Sequence, residues 1–308
     1  MKDEYKDDIP IYLGGAVSND ITSCIKVSRG SFNEEPELRC FHEEADDRLL
    51  FHINHGIKID NIKKVIVCSP DTDVFVTSLY HFDAWKRNYL SELWIVSGKS
   101  GKRTIFPVHE LMNRLDHDVI NVLPAVHALT GCDTTSKIGS KKSAFNTALK
   151  FGSNLLSSFG NTYIDDDMML KAEEFLVRTI SNDSSVITFD QLRTTEYYKN
   201  SNSLNLTKLP PTSLSIKFHI SRAFFQTFLW YNSPYKSHID INPEMYGYRL
   251  DEYDTLEPIV CPDKHLPDSF PLTCTWIKCA RDHICKCRKL SMVCCRFCKC
   301  KQCKNPYK

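Results

Sequence analysis

Four short acidic motifs hold the side chains of this sequence best suited to chemistry. They are His42-Glu-Glu-Ala-Asp-Asp47, Ser69-Pro-Asp71-Thr-Asp73, Thr130-Gly-Cys-Asp133 and Asp165-Asp-Asp167. Carboxylates brought together repel one another, and a divalent cation is the usual remedy. Mg2+ takes one or two carboxylates and keeps several waters for substrate phosphates. Two such ions about 4 Å apart activate water and stabilise the leaving oxygen of a phosphodiester. A second group of candidate ligands lies near the C-terminus, where nine of the 14 cysteines fall between Cys274 and Cys303. Thiolates so closely spaced cannot build a hydrophobic core, but they suit tetrahedral Zn2+. Zinc would then supply most of the folding free energy of that segment.

Each acidic motif also has a plainer explanation. Asp71 or Asp73 caps a following helix, and Glu43 and Glu44 favour a helix N-terminus. Asp165–Asp167 has only the capping role. His42 and His127 lie close enough in sequence to the motifs to act as general bases, but a carboxylate–metal site needs neither, and both are expected to be structural.

The elements that must position these groups follow from apolar spacing. Ile9–Leu13, ended by Gly14-Gly15, reads as a strand and turn, and Ile21–Ser28 as the next strand. Asn33–Glu37 reads as a loop. Phe41–His55 has helical spacing, with Gly56 as a stop. Val65–Cys68 is a short, fully apolar run, the mark of a strand buried on both faces, and Leu93–Val96 is a second. Helices are expected at Val74–Tyr80, Val108–Leu115, Leu123–Leu129, Ser143–Leu156, Met168–Ile180 and Pro211–Tyr231. Strands alternating with helices predict a parallel α/β sheet. In such sheets ligands bind beyond the carboxyl ends of the strands, which is where Asp71 and Asp73 fall. Residues 236–271 are rich in Pro, Tyr and Asp and read as an irregular linker.

Composition narrows the function classes. A formal net charge of +1 excludes a uniformly basic protein, though not a local basic patch. No segment approaches the roughly 20 apolar residues of a membrane-spanning helix. The start, Met1 to Asp8, is charged and lacks the apolar core of a secretion signal. Scattered thiols at Cys24, Cys40, Cys68, Cys132 and Cys261, with a terminal cluster, fit a reducing compartment and a metal site; a disulfide-rich tail is the alternative.

Taken in order, E-A-D, strand-D-x-D and G-x-D followed by Ile138-Gly-Ser-Lys-Lys-Ser-Ala144 resemble the flap endonuclease and PIN-like nuclease superfamily. The strings E-E-A-D-D-R-L-L-F-H, S-P-D-T-D-V-F and L-P-A-V-H-A-L-T-G-C-D-T-T-S look like an uncharacterised group of animal PIN-like proteins, often transposon-derived in appearance, with Cys-rich tails. The resemblance covers roughly residues 40–160. It implies a PIN-like parallel sheet flanked by helices, and Mg2+ or Mn2+ held by Glu44 (or Glu43), Asp46, Asp71, Asp73 and Asp133. It also implies a helix-hairpin-helix at Lys137–Ala144, whose backbone amides and a monovalent cation hold duplex phosphates. The family places one more aspartate on a first strand. Ile9–Leu13 offers none, so the chain is expected to start inside the domain or to have lost a ligand.

The tail spacing C-x4-C-x5-C-x-C-x6-C-x3-C-x-C-x2-C runs through Cys274, Cys279, Cys285, Cys287, Cys294, Cys298, Cys300 and Cys303. It resembles one repeat of the tesmin-type CXC domain, in which nine cysteines share three zinc ions. Eight of the nine positions match here, with Leu272 at the first and Cys295 outside the pattern. The family's minor-groove tyrosine is replaced by Ile284. Ten basic residues of this tail, among them Arg288, Lys289, Lys299 and Lys301, face only Asp282, a charge balance suited to phosphate or to offsetting thiolate–zinc clusters.

These observations predict four segments. Residues 1–160 form a PIN-like nuclease domain, 161–235 a helical extension, 236–271 a linker and 272–308 a zinc module. The expected function is metal-dependent hydrolysis of nucleic acid, DNA in the first place, in the nucleus and away from membranes. Lys137, Gly139, Lys141 and Lys142 would grip the duplex. The alternative is a catalytically inactive binding protein on the same fold.

Overall fold

The computed structural model describes residues 9–15, 20–28, 31–42, 44–98, 101–161, 163–199, 209–236 and 241–261, together with Cys294 and Cys298. Near the N-terminus, β1 (Ile11–Gly14), β2 (Cys24–Ser28) and β3 (Ser31–Glu34) pair antiparallel in chain order, with Ile11 opposite Val27 and Val27 opposite Phe32. β3 and a 3-10 turn at Pro36–Leu38 replace most of the loop expected at Asn33–Glu37. Cys24, Leu38 and Cys40 form a small core with Phe51 of α1 (Ala45–Lys58), and Tyr12 packs against it. α1 runs two residues past Gly56. A Cβ on Gly56 would lie 2.9 Å from Ile62 Cδ1, so this glycine serves a close approach of the returning chain rather than a stop.

β4 (Lys64–Cys68) pairs parallel with β5 (Glu92–Ser97) through the crossover helix α2 (Thr72–Arg87). β6 (Thr104–Pro107) lies antiparallel on the far side of β5. The sheet is therefore mixed, not parallel as expected. Residues 98–103 are too few for the crossover of a dozen or more residues that a parallel neighbour needs. The helices lie over one face: Leu50, Ile53, Val74, Phe82, Trp85 and Ile120 bury Val67, Leu93 and Ile95. On the other face Ile66 is 69% exposed and Ile105 57%. The expectation that Val65–Cys68 is buried on both faces is corrected accordingly: β4 and β6 are both edges, and the described residues cover only one side.

After the short α3 (Val108–Leu111), α4 (His117–Thr130) begins a helical layer completed by α5 (Lys141–Leu156), α6 (Asp166–Ile180), α7 (Phe189–Lys199) and α8 (Ser213–Asn232). Side-chain oxygens start these helices: Asp116 accepts from Asp118 N–H at 2.9 Å, Ser140 from Ser143 N–H at 3.1 Å, and Thr212 from Ser215 N–H at 3.2 Å. Asp165 likewise accepts from Met168 N–H at 2.8 Å, the capping role expected of that acidic triplet. α4 serves two cores at once. Ile120 belongs to the sheet core, while Val122, Ala125 and Leu129 join Phe159, Phe175, Phe189 and Phe224 in the helical one. The boundary expected at residue 160 runs through this second core, where the Phe159 and Phe224 rings sit edge to face at 5.3 Å. Buried Glu173 accepts from Phe189 N–H at 2.7 Å and Ser213 O–H at 2.6 Å, joining α6, α7 and α8.

Beyond α8, a 3-10 turn at Pro243–Tyr246 and a hairpin of β7 (Tyr248–Leu250) and β8 (Leu256–Pro258) occupy part of the expected linker. Tyr246 stacks on Phe224 at 5.6 Å. The expected zinc module lies outside the described residues except for Cys294 and Cys298, both buried. No described helix is long and apolar enough to cross a membrane.

Candidate carboxylate site

Three chain reversals bring the acidic motifs to the same region. Glu44 is the cap residue of α1, and Asp46 and Asp47 lie in its first turn. β4 ends at Cys68; Ser69 Oγ then accepts from Asp71 N–H at 3.1 Å, and Asp71 caps α2 by accepting from Asp73 N–H at 2.9 Å. Asp133 stands exposed on the turn that follows α4. Two helix N-termini thus face carboxylates they stabilise, while the carboxylates repel one another.

Asp46 records that repulsion. Burial, then Asp71, Asp73, Glu44 and Asp133 in that order, push its carboxyl up to about 6. The other four carboxylates implied by the resemblance therefore all reach Asp46; Glu43 lies outside the described residues. Asp47, which sequence reasoning left out of the site, is pushed up to about 7 by burial first, then by Asp46, Glu44 and Asp73. Its Oδ1 is buried, and among the described residues nothing hydrogen-bonds it. The signal for Asp47 was only its place in E-E-A-D-D, where helical spacing cannot say which of two adjacent carboxylates turns inward. Among the described residues, no three His, Cys, Asp or Glu side chains are arranged to hold a metal ion.

His127, expected to be structural, touches the site directly. Its Nε2 is 2.6 Å from Asp73 Oδ1, and its Nδ1 is 2.8 Å from Lys141 Nζ. The Trp230 ring lies 5.7 Å away, tilted by 30°. Lys141 was expected to meet phosphate. Instead its ammonium turns inward to His127 Nδ1 and to the carbonyls of His127 and Gly131, and burial lowers its pKa. These carbonyls close the C-terminus of α4, where a cation is favoured.

The hairpin between α4 and α5 is held by glycine. Gly131 has φ +111°, and a Cβ there would lie 2.7 Å from Lys137 Cα. Gly139 has φ +69°, with Ile180 Cγ2 2.9 Å from a Cβ position. Thr135 O–H donates to Ala128 O at 2.6 Å, and Thr134 O–H to Gln226 Oε1 at 2.8 Å, so the turn is tied to α4 and α8. Lys137 and Lys142 remain exposed beside it. Cys274, Cys279, Cys285, Cys287, Cys300 and Cys303, with Arg288, Lys289, Lys299 and Lys301, lie outside the described residues.

Comparison with known proteins finds no matching family model, no matching curated protein and no matching solved structure.

Proposed function

We propose that this protein is a divalent-metal-dependent phosphodiesterase acting on nucleic acid, with a PIN-like domain and a CXC-type zinc tail. The observation that carries the reading is the field at Asp46, where four other carboxylates reach one half-buried carboxyl. Such a cluster is costly in water and becomes favourable around hard cations. The donors fit Mg2+ or Mn2+ in kind: they are all oxygen, and the buried Asp47 Oδ1 has no hydrogen-bond partner among the described residues. Glu44, Asp46, Asp71, Asp73 and Asp133 would hold the ions, which supply water activation and stabilisation of the leaving oxygen when bound. Lys137 and Lys142, flanking Gly139, meet backbone phosphates. Cys274, Cys279, Cys285, Cys287, Cys294, Cys298, Cys300 and Cys303 bind zinc, and Arg288, Lys289, Lys299 and Lys301 add salt-dependent affinity. DNA is the first substrate to test and the nucleus the expected location.

One observation favours the second reading, a binding protein without catalysis: no described trio of ligands is arranged to hold a metal ion. Cleavage of flap, duplex and single-stranded DNA and RNA in Mg2+ and Mn2+ separates the two. The wild type should cut, and Asp71→Asn with Asp73→Asn should abolish cutting while keeping binding. A wild type that binds and never cuts establishes the second reading.

A further inference from the structure

The two ring nitrogens of His127 are committed in opposite senses. Its side chain is 8% exposed, so water does not decide its protonation pattern. Lys141 Nζ, 2.8 Å from Nδ1, has only protons to offer, so Nδ1 accepts. The proton of the neutral ring then sits on Nε2 and is donated to Asp73 Oδ1 at 2.6 Å. The three protons of Lys141 have three acceptors: His127 Nδ1, the His127 carbonyl and the Gly131 carbonyl. The ammonium is thereby fixed by the end of α4 and the glycine turn, and the imidazole by the ammonium.

The two aspartates at the start of α2 are left in the same state. Asp71 Oδ1 accepts from Asp73 N–H, and Asp73 Oδ1 accepts from His127. Among the described residues no hydrogen bond engages Oδ2 of either. We propose that Lys141 and His127 are positioning residues that hold Asp73 by one oxygen and leave its Oδ2 to coordinate a divalent cation. This inference rests on the metal-site reading above. It assigns Lys141 to the site rather than to the phosphate backbone. Partners that orient a ligand through its second atom commonly matter to metal affinity nearly as much as the ligand does.

The test is Mn2+ binding to the full chain, followed by the loss of the free-ion signal in electron paramagnetic resonance, with Asp71→Asn/Asp73→Asn as baseline. His127→Ala should weaken the binding lost in that baseline by roughly 10- to 100-fold. His127→Gln keeps a side-chain N–H within reach of Asp73 and should recover most of the affinity. Lys141→Met should weaken binding less than His127→Ala. Nitrogen-15 shifts of the imidazole should place the proton on Nε2 in the wild type and free it to move to Nδ1 in Lys141→Met, a readout that needs no metal and survives if His127→Ala fails to fold. A wild type without baseline-sensitive Mn2+ binding overturns the metal-site reading, and this inference with it. Unchanged Mn2+ affinity in His127→Ala, or a wild-type proton on Nδ1, overturns the positioning role alone.

Discussion

The helical layer and the mixed sheet solve the same burial problem to different extents. Phe175, Leu176, Phe189 and Phe224 are enclosed on all sides by neighbouring helices. Val67, Leu93 and Ile95 are covered as completely, yet Ile66, the next residue along β4, and Ile105 of β6 lie largely in water on the other face. The carboxylates gather where these two regions meet, at the ends of α1 and α2 and beside the last turn of α4. Burial raises the carboxyls of Asp46 and Asp47 first, and the neighbouring carboxylates raise them further.

The largest effect should come from the closed region. Phe175→Ala is expected to cost about 3–5 kcal/mol in urea unfolding, through lost burial and an unfilled cavity. A cost near that of a surface change would show the helical layer to be looser than its packing implies.

A smaller effect of opposite sign is expected at the seam. Asp46 and Asp47 have folded-state values raised from 3.8 to about 6 and about 7. The native state therefore binds more protons than the unfolded chain across that window, and stability falls as pH rises from about 4 to about 7. Asp47→Asn removes the buried charge. With Mg2+ and Mn2+ left out of the buffer, it should stabilise the protein at pH 8 by about 1–3 kcal/mol and by little at pH 4. Urea melts at the two pH values measure this, and equal effects at both would remove Asp47 from the carboxylate field.

The smallest effect belongs to the bare face. Ile66→Thr should change stability by no more than about 0.5 kcal/mol, because little of this side chain leaves water on folding. A loss of several times that size in dilute solution would mean that something covers the face.

How far the sequence was legible follows the same division. Convergence of Glu44, Asp46, Asp71, Asp73 and Asp133 was foreseeable because each sits at the end of an element whose periodicity is plain. The mixed sheet was not, since a four-residue apolar run looks alike whether one face or both are buried. His127 and Lys141 acquire their roles from partners 54 and 14 residues distant, and no local pattern announces such a pairing. Asp165–Asp167, whose cap is entirely local, was read correctly from spacing alone.

The end of α8 is fastened to the start of the chain by backbone carbonyls: Trp230 O to His81, Pro234 O to Asn54 and Tyr235 O to His42, across 149, 180 and 193 residues. During translation these three side chains emerge long before their partners exist, by roughly 10 to 40 s at ordinary elongation rates. Trp230, which lies over His127, arrives with them. The carboxylate region is thus among the last parts of the chain to be enclosed, and a ribosome-bound intermediate ending before residue 230 would present α1 and α2 with their acidic ends exposed to solvent.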